Sequence, residues 1–147
     1  MKKIIPPVLF VICLAVMFLL WWWQPLGLFL DYPDNISGVV LIILGLALAK
    51  QGSSLFERRG TNIQTFDDPD VLVTDGVFRI SRNPMYLGFA LALAGLAIVL
   101  GNFASLLVVL AFIVITDRWY IAFEEVVMIR TFGDRYRTYQ QRTRRWL

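Results

Sequence analysis

The chain has 147 residues, of which 58% are hydrophobic and 17% are charged, and its formal net charge is +3. This composition is too apolar for an ordinary water-soluble domain, and the length indicates a single domain. The sequence holds one cysteine and no histidine. It therefore lacks a disulfide framework and also the commonest metal ligand and general base, so we expect no metal site.

Three long runs without any charge indicate membrane helices, at residues 4–30, 36–49 and 85–116. A helix that crosses a bilayer needs roughly 20 apolar residues, each rising about 1.5 Å. The last run is long enough for two short helices joined at Gly101-Asn102, which is a turn signal. The sequence therefore predicts an all-α integral membrane protein with about four transmembrane helices, near 7–30, 35–57, 85–101 and 103–125, the last two forming a hairpin.

The distribution of positive charge predicts the orientation. With residue 1 placed in the cytoplasm, all 14 Lys and Arg residues fall in cytoplasmic segments, and the outer turns at 31–35 and 101–102 carry none. This is the asymmetry of the positive-inside rule, so we expect both termini in the cytoplasm. The location that we expect is the inner membrane of a bacterium or archaeon. A cleaved signal peptide is the alternative for the first segment. No small-residue cleavage site follows it, and Trp21, Trp22 and Trp23 resemble an interfacial belt.

Small residues recur on one face of the second and third predicted helices. Gly38, Gly45 and Gly52 follow one another at seven-residue intervals, and Gly88 and Gly95 share a face of the next helix. Such faces let membrane helices approach closely, although these residues could also be apolar filler. If the faces are real, the two helices pack tightly together.

Two cytoplasmic segments complete a single domain divided into residues 1–57, 58–84 and 85–147. The first opens at Gly60, a plausible helix stop, and its "VLVTDGVFRISRNP" stretch predicts an ordered cap with a turn at Asp75-Gly76. After the fourth helix, apolar and polar residues keep helical spacing as far as Gly133. We expect a final amphipathic helix beginning at Asp134, which could lie on anionic lipid and which carries Tyr136, Tyr139 and Trp146.

Two polar clusters lie next to the predicted hairpin. Glu124 and Glu125 are adjacent carboxylates near an apolar helix end, where like charges are costly unless they have partners. Arg118 lies seven residues before Glu125 on the same helical face, as does Asp117 before Glu124, so a purely structural Arg118–Glu125 pair is one reading. Arg79, Arg82 and Asn83 stand just before the first helix of the hairpin, at the same open end as Glu124 and Glu125. Both clusters then meet at the cytoplasmic surface, which favours a charged small-molecule site.

The stretches "LVTDGVFRISRNPMYLG" and "EEVVMIRTFGDRYRTYQQRTRRWL", separated by a short hydrophobic hairpin, resemble the isoprenylcysteine carboxyl methyltransferase and phospholipid methyltransferase superfamily. The resemblance covers roughly residues 72–147. It implies S-adenosylmethionine as cofactor and methyl transfer to a lipophilic acceptor at the cytoplasmic membrane face. The residues that it implies for cofactor binding are Arg79, Arg82, Asn83, Pro84, Tyr86, Gly88, Glu124 and Glu125.

The resemblance also implies catalytic roles for Asn83, Glu124 and Arg130, with Arg130 binding an anionic group of the acceptor. Asn83 stands where the family usually has histidine, and asparagine cannot accept a proton near neutral pH. A carboxylate acceptor, such as a prenylcysteine-like group, is already ionised and needs no base. A protonated amine would need one, and Glu124, Glu125 or a tyrosine would have to serve. The missing histidine therefore favours a carboxylate or another pre-ionised acceptor.

Three alternatives remain open at this point: a phospholipid-amine N-methyltransferase, an NADPH-dependent membrane reductase, and a membrane scaffold without enzymatic activity. The sequence has no Gly-x-Gly-x-x-Gly fingerprint, but that absence argues only weakly against a reductase. The partners that we expect are a lipophilic or lipidated substrate and membrane lipid, with no nucleic acid. The sequence leaves the oligomeric state open.

Overall fold

The computed structural model describes residues 5–23, 33–60 and 69–147. A π-helical turn, Thr116–Ile121, joins two of its helices without a break, and short 3₁₀ turns occur at Asp34–Ser37 and Gly76–Arg79. Nothing in the described ranges forms a β-strand. The helices are α1 (Pro6–Trp23), α2 (Gly38–Arg59), α3 (Pro84–Leu100), α4 (Phe103–Ile115), α5 (Ala122–Phe132) and α6 (Asp134–Arg142).

Three of the helical segments are long and apolar enough to cross a membrane: Pro6–Trp23, Asp34–Arg59 and Phe103–Phe132. Apolar side chains cover their outer surfaces, where lipid tails would replace water. The chain is therefore an all-α integral membrane protein, as predicted. The third predicted span, α3, is shorter at 17 residues. The predicted extension of the first helix to residue 30 lies outside the described residues.

α3 lies at the centre of the bundle, with α2 on one side and with α1 and α4 on the other. Met17 of α1, Leu93 of α3 and Phe112 of α4 are completely buried where these three helices meet. Because α3 is enclosed by its neighbours, it contributes little lipid-facing surface. The residues at its beginning are consequently fixed by protein contacts on several sides.

The glycine faces of α2 and α3 pack directly against each other, in antiparallel directions. A Cβ atom added at Gly45 would lie 2.5 Å from the carbonyl oxygen of Gly88, and one at Gly95 would lie 2.5 Å from that of Gly38. These distances leave no room for a side chain, so only glycine permits this backbone approach. The predicted tight packing is confirmed.

The turns of the second half of the chain fall close to where the sequence predicts them. α3 ends at Gly101, which has a φ of 65°, and the Asn102 side chain accepts a hydrogen bond from the Ser105 backbone N–H at 2.9 Å to begin α4. Gly133, with a φ of 54°, separates α5 from α6, and α6 begins at Asp134. The predicted hairpin and the final helix are therefore confirmed.

The prediction that Trp146 belongs to the final helix is wrong. α6 ends at Arg142, and Thr143 is extended, with φ and ψ of −129° and 129°. Residues 143–147, called the closing strap here, fold back toward the start of α3, where side chains and backbone amides bind the strap's carbonyl oxygens. These hydrogen bonds replace those that a longer helix would make.

The cap predicted before α3 is ordered over residues 69–83, and residues 61–68 of that loop lie outside the described residues. Val73 and Phe78 of the cap pack against Tyr136 and Tyr139 of α6 in a small buried cluster. The Tyr139 hydroxyl also donates a hydrogen bond to the Phe78 carbonyl oxygen at 2.5 Å. α6 thus packs on the cap, and these contacts hold the cap beside the membrane helices.

Candidate functional site

A cavity of about 410 Å³ opens where α3 and α5 begin, a volume within the range of small-molecule sites. Its walls come from α1, α2, the cap, α3, α5 and α6. The polar side chains in these walls include Arg82, Asn83, Tyr86, Glu124 and Glu125. Apolar side chains from the membrane helices line the remainder, among them Pro6, Pro7, Leu46, Ala49, Met85 and Phe89. One cavity therefore offers both a charged region and an apolar region.

Glu124 is fixed in this cavity by α3. The Tyr86 hydroxyl donates a hydrogen bond to Glu124 Oε1 at 2.5 Å, and hydrogen bonds to an ionised acceptor are short and strong. Tyr86 itself is 5% exposed. A buried tyrosine thus connects the first turn of α3 to the acidic first turn of α5.

Glu125 lies between two arginines. Arg82 Nη2 is 2.9 Å from Glu125 Oε1, and Arg145 Nη2 is 2.5 Å from Oε2. The side chains of Arg82 and Glu125 are only 10% and 13% exposed, respectively. The pair is buried, so removing Glu125 would leave the Arg82 charge without its ion-pair partner.

The structural reading that pairs Arg118 with Glu125 is wrong. The Arg118 side chain is 85% exposed and approaches Asp117 at 3.7 Å. The π-helical turn adds a residue between α4 and α5, so positions seven apart no longer share a face. Asp117 consequently lies on the same side as Glu125, and Arg145 contacts both carboxylates.

Asn83 lines the cavity and also forms a hydrogen bond with the closing strap. Its Nδ2 donates to the Arg145 carbonyl oxygen at 2.9 Å, and its backbone N–H donates to Ser81 Oγ at 3.0 Å. Pro84 follows as the first residue of α3, where a missing N–H costs nothing. The amide group of Asn83 thus anchors the strap to the helix start.

Arg82 carries two donors without a protein acceptor. Its Nε and Nη1 atoms are buried and have no hydrogen-bond partner in the described part of the chain. Buried donors of this kind are costly, and an anionic ligand group is one way to satisfy them. Because Arg82 lines the cavity beside Glu124 and Glu125, the donor set fits a zwitterionic ligand with a carboxylate and a cationic centre. Such a pattern suits the amino-acid end of S-adenosylmethionine.

Two tyrosines of α6 close the cavity on the cap side. The Arg82 guanidinium carbon lies 6.0 Å from the centre of the Tyr136 ring, a cation–π distance. Burial raises the pKa of Tyr136 to about 12, and burial likewise raises the pKa of Tyr139. Both hydroxyls therefore stay protonated at neutral pH, which makes them poor general bases.

Three of the predicted site residues do not line this cavity. Arg79 lies in a separate groove between the cap and α6, which it shares with Arg135 and Arg142. Gly88 faces Gly45 in the α2–α3 contact, so its lack of a side chain serves helix packing. Arg130 is exposed on α5. The cavity does contain the predicted Arg82, Asn83, Pro84, Tyr86, Glu124 and Glu125.

Sequence reasoning missed Asp117, Arg145 and Trp146 as members of this polar network. Arg145 Nη1 is 3.1 Å from Asp117 Oδ1, and Trp146 Nε1 donates to the same oxygen at 2.9 Å. In the sequence, Arg145 is one of many arginines in a basic segment and carries no distinguishing spacing. The contacts join residues nearly 30 positions apart, so only the fold could reveal them.

Comparison with known proteins adds the following likenesses. A sequence model described as phospholipid methyltransferase matches residues 34–135. The chain is 34% identical over 110 residues to protein-S-isoprenylcysteine O-methyltransferase B of Arabidopsis thaliana, which is 71% of this chain and 54% of the relative. With protein-S-isoprenylcysteine O-methyltransferase of Schizosaccharomyces pombe, it is 35% identical over 75 residues, 49% of this chain and 30% of the relative.

A shorter relative is an uncharacterized protein of Haemophilus influenzae. The identity is 43% over 63 residues, which are 43% of this chain and 100% of that protein. The chain spans about half or less of the length of the two isoprenylcysteine methyltransferases.

Proposed function

The chain belongs to the phospholipid methyltransferase family, and on that premise we propose that it transfers a methyl group from S-adenosylmethionine to a lipophilic acceptor at the cytoplasmic face of the membrane. The observation that carries this proposal is that Arg82, two of whose buried nitrogens have no hydrogen-bond partner among the described residues, lines the same cavity as Glu124 and Glu125. The named relatives, isoprenylcysteine O-methyltransferases, support the same class of reaction.

The residues of the polar region would hold the cofactor by charge. Arg82 offers its free donors to the cofactor's carboxylate, as arginine does in charge-assisted pairs. Glu124, aligned by Tyr86, suits the cationic ammonium or sulfonium. When bound, S-adenosylmethionine supplies an electrophilic methyl group on its sulfonium centre.

The apolar region of the cavity suits the acceptor. Pro6 and Pro7 of α1 face the cavity together with Leu46 and Ala49 of α2, although α1 packs mainly on α4 and α3. A lipid chain would therefore enter from the bilayer between α1 and α2. An acceptor held there would present its polar end to Glu124 and Asn83, where the methyl group is transferred.

Positioning would do most of the catalytic work. Methyl transfer is a displacement in which alignment of the two reactants lowers the barrier. The Asn83 amide is bound to the Arg145 carbonyl oxygen and cannot take up a proton near neutral pH, so it orients and does not act as a base. A carboxylate acceptor such as a prenylcysteine-like group fits this chemistry best. Arg130 lies outside the cavity, so it would contact only a part of the acceptor that is distant from the methylated group.

One alternative acceptor has its own support. The matched family is described by phospholipid substrates, and an amine head group would need a proton acceptor in the cavity. Glu124 is the residue placed to serve, because it lines the cavity and already accepts a hydrogen bond from Tyr86. Turnover of an amine acceptor would thus depend more strongly on the Glu124 carboxylate than turnover of a carboxylate acceptor.

The cytoplasmic placement rests on charge. The cavity lies at the end of the bundle that also carries Arg58, Arg59, Arg82 and Arg118. The opposite end, with Asp34–Ser37 and the Gly101-Asn102 turn, has no Lys or Arg among its described residues. By the positive-inside rule, this asymmetry supports a cavity at the cytoplasmic face of the membrane.

Calorimetric titration of the detergent-purified protein with S-adenosylhomocysteine tests the cofactor, with NADPH in a parallel run. We expect the first ligand alone to bind, and Glu124→Gln to weaken that binding in a protein that still folds. Binding of NADPH alone would indicate a membrane reductase, and no binding of either ligand would favour a scaffold. Labelled methyl transfer to prenylcysteine analogues and to aminophospholipids then separates the two acceptor classes.

A further inference from the structure

The closing strap is held by the three residues that precede α3. The Arg82 backbone N–H donates to the Arg144 carbonyl oxygen at 3.0 Å. The Arg145 carbonyl oxygen accepts from Asn83 Nδ2 at 2.9 Å and from Ser81 Oγ at 3.3 Å. The strap backbone therefore runs directly against the start of the helix from which Arg82 and Tyr86 reach the cavity.

The Arg145 side chain extends from this strap to α5 and the π-helical turn. Its guanidinium binds Glu125 through both Nε, at 3.1 Å, and Nη2, at 2.5 Å, which is the side-on fork that only arginine can offer. Nη1 reaches Asp117 Oδ1 at 3.1 Å. The hydrogen bond to Glu125 raises the pKa of Arg145, partly offset by burial. Arg145 thus stays charged and ties two elements to the strap.

From this geometry we infer that Arg145 is a positioning residue for the cofactor cavity, acting through Glu125 on Arg82. Arg145 does not line the cavity, whereas Glu125 and Arg82 do. Glu125 Oε1 accepts from both arginines at once. The inference rests on the proposed function, because it says that Arg145 helps to position the residues that would bind the cofactor.

The charge balance of the network explains the expected effect. Asp117 and Glu125 are balanced by Arg82 and Arg145, and these four side chains lie close together. Without the two hydrogen bonds from Arg145, the Glu125 carboxylate could rotate and form a two-point contact with the Arg82 guanidinium. The donors of Arg82 that face no protein acceptor would then no longer be presented to a ligand carboxylate.

Arg145→Lys tests this inference, because lysine keeps the charge and loses the fork. The matched control is Arg142→Lys, at an exposed arginine that ends α6 and that forms no ion pair among the described residues. A second variant, Trp146→Phe, removes the hydrogen bond to Asp117 and part of an aromatic side chain that packs against the core. For each variant we would measure S-adenosylhomocysteine affinity, melting temperature, and hydrogen exchange of residues 81–86 without ligand.

We expect Arg145→Lys to weaken S-adenosylhomocysteine binding at least tenfold and to speed exchange at residues 81–86, with Arg142→Lys unchanged. Trp146→Phe should lower the melting temperature while the folded protein keeps its affinity. Unchanged affinity and exchange in Arg145→Lys would overturn the inference while leaving the proposed function intact. If the wild-type protein binds no S-adenosylhomocysteine, the proposed function fails, and the exchange rates alone decide whether Arg145 positions the start of α3.

Discussion

The Tyr86 hydroxyl lies 2.5 Å from Glu124 Oε1, so a single hydrogen bond joins the beginning of α3 to the beginning of α5. The two residues are 38 positions apart in the sequence. Because α3 and α4 form a hairpin, both helix starts lie at its open end. This hydrogen bond makes Tyr86 a side chain that helps to position the Glu124 carboxylate in the cavity.

Tyr86→Phe should weaken S-adenosylhomocysteine binding about tenfold, because a hydrogen bond to a charged group contributes roughly 1.5–3 kcal/mol. Calorimetric titration in detergent measures the change. Trp119→Phe, at a side chain that is 76% exposed, is the control and should bind like wild type. Equal affinity of Tyr86→Phe and wild type would show that the hydroxyl does not position Glu124 for the ligand.

Gly45→Ala should destabilise the protein more than any lipid-facing change in α2. The added Cβ would lie 2.5 Å from the Gly88 carbonyl oxygen and 2.6 Å from the Ala92 nitrogen, and both are backbone atoms that cannot rotate away. Overpacking of this kind costs about 1–3 kcal/mol or more. We expect a lower melting temperature and weaker ligand binding, since α2 and α3 both line the cavity.

The control for this variant is Ile43→Ala, whose side chain is 62% exposed on the same helix. It should melt close to wild type in detergent. If Gly45→Ala melted no lower than Ile43→Ala, the close contact of α2 and α3 would not be a source of stability.

Asn83→Asp should loosen the closing strap. The change removes the Nδ2 donor that binds the Arg145 carbonyl oxygen and sets a carboxylate against that oxygen. Loss of such a hydrogen bond costs about 0.5–1.5 kcal/mol, because the Ser81 hydroxyl remains as a second donor to that oxygen. Thermal unfolding measures the loss, with Gln141→Glu on the exposed face of α6 as the charge-matched control. A melting temperature equal to that of the control would rule out the anchoring role of Asn83.

Stability should fall at alkaline pH because of Tyr136. Burial raises its pKa from 10.0 to about 12 in the folded state, so between these values the unfolded chain loses the proton first. The free energy of unfolding is then constant below about pH 10 with respect to this group and decreases as pH rises toward 12. Denaturation measured from pH 8 to 11.5 should show a shallower decline for Tyr136→Phe. A decline of the same slope in both proteins would contradict the assignment.

Cysteine labelling tests the orientation. In a Cys13→Ala background, a cysteine at Arg135 should be protected from a membrane-impermeant maleimide in sealed spheroplasts, while one at Ile36 should react. Both positions are exposed on the protein surface and lie at opposite ends of the bundle. The reverse pattern would place the cavity on the outer face and contradict the charge argument.

Local physical chemistry in the sequence determined the helices and their ends. Uncharged runs of about 20 residues have to be helical in a bilayer, where every backbone polar group needs an internal partner. Gly60, Gly101 and Gly133 end helices because their positive φ angles, 54–65°, suit glycine. The glycine faces likewise predicted the α2–α3 contact, because the positions that lack a side chain can be read directly from the sequence.

Only the tertiary structure decided which charges meet. Glu125 pairs with Arg82 and Arg145, 43 and 20 positions away, and nothing in the spacing of the arginines distinguishes these two from the other twelve basic residues. The π-helical turn adds a residue that helical periodicity does not anticipate, so the seven-residue rule selected Arg118 incorrectly. Local periodicity fixes the face of a residue within one helix. Ion pairs between segments depend on how helices dock, which is set by the packing of the whole bundle.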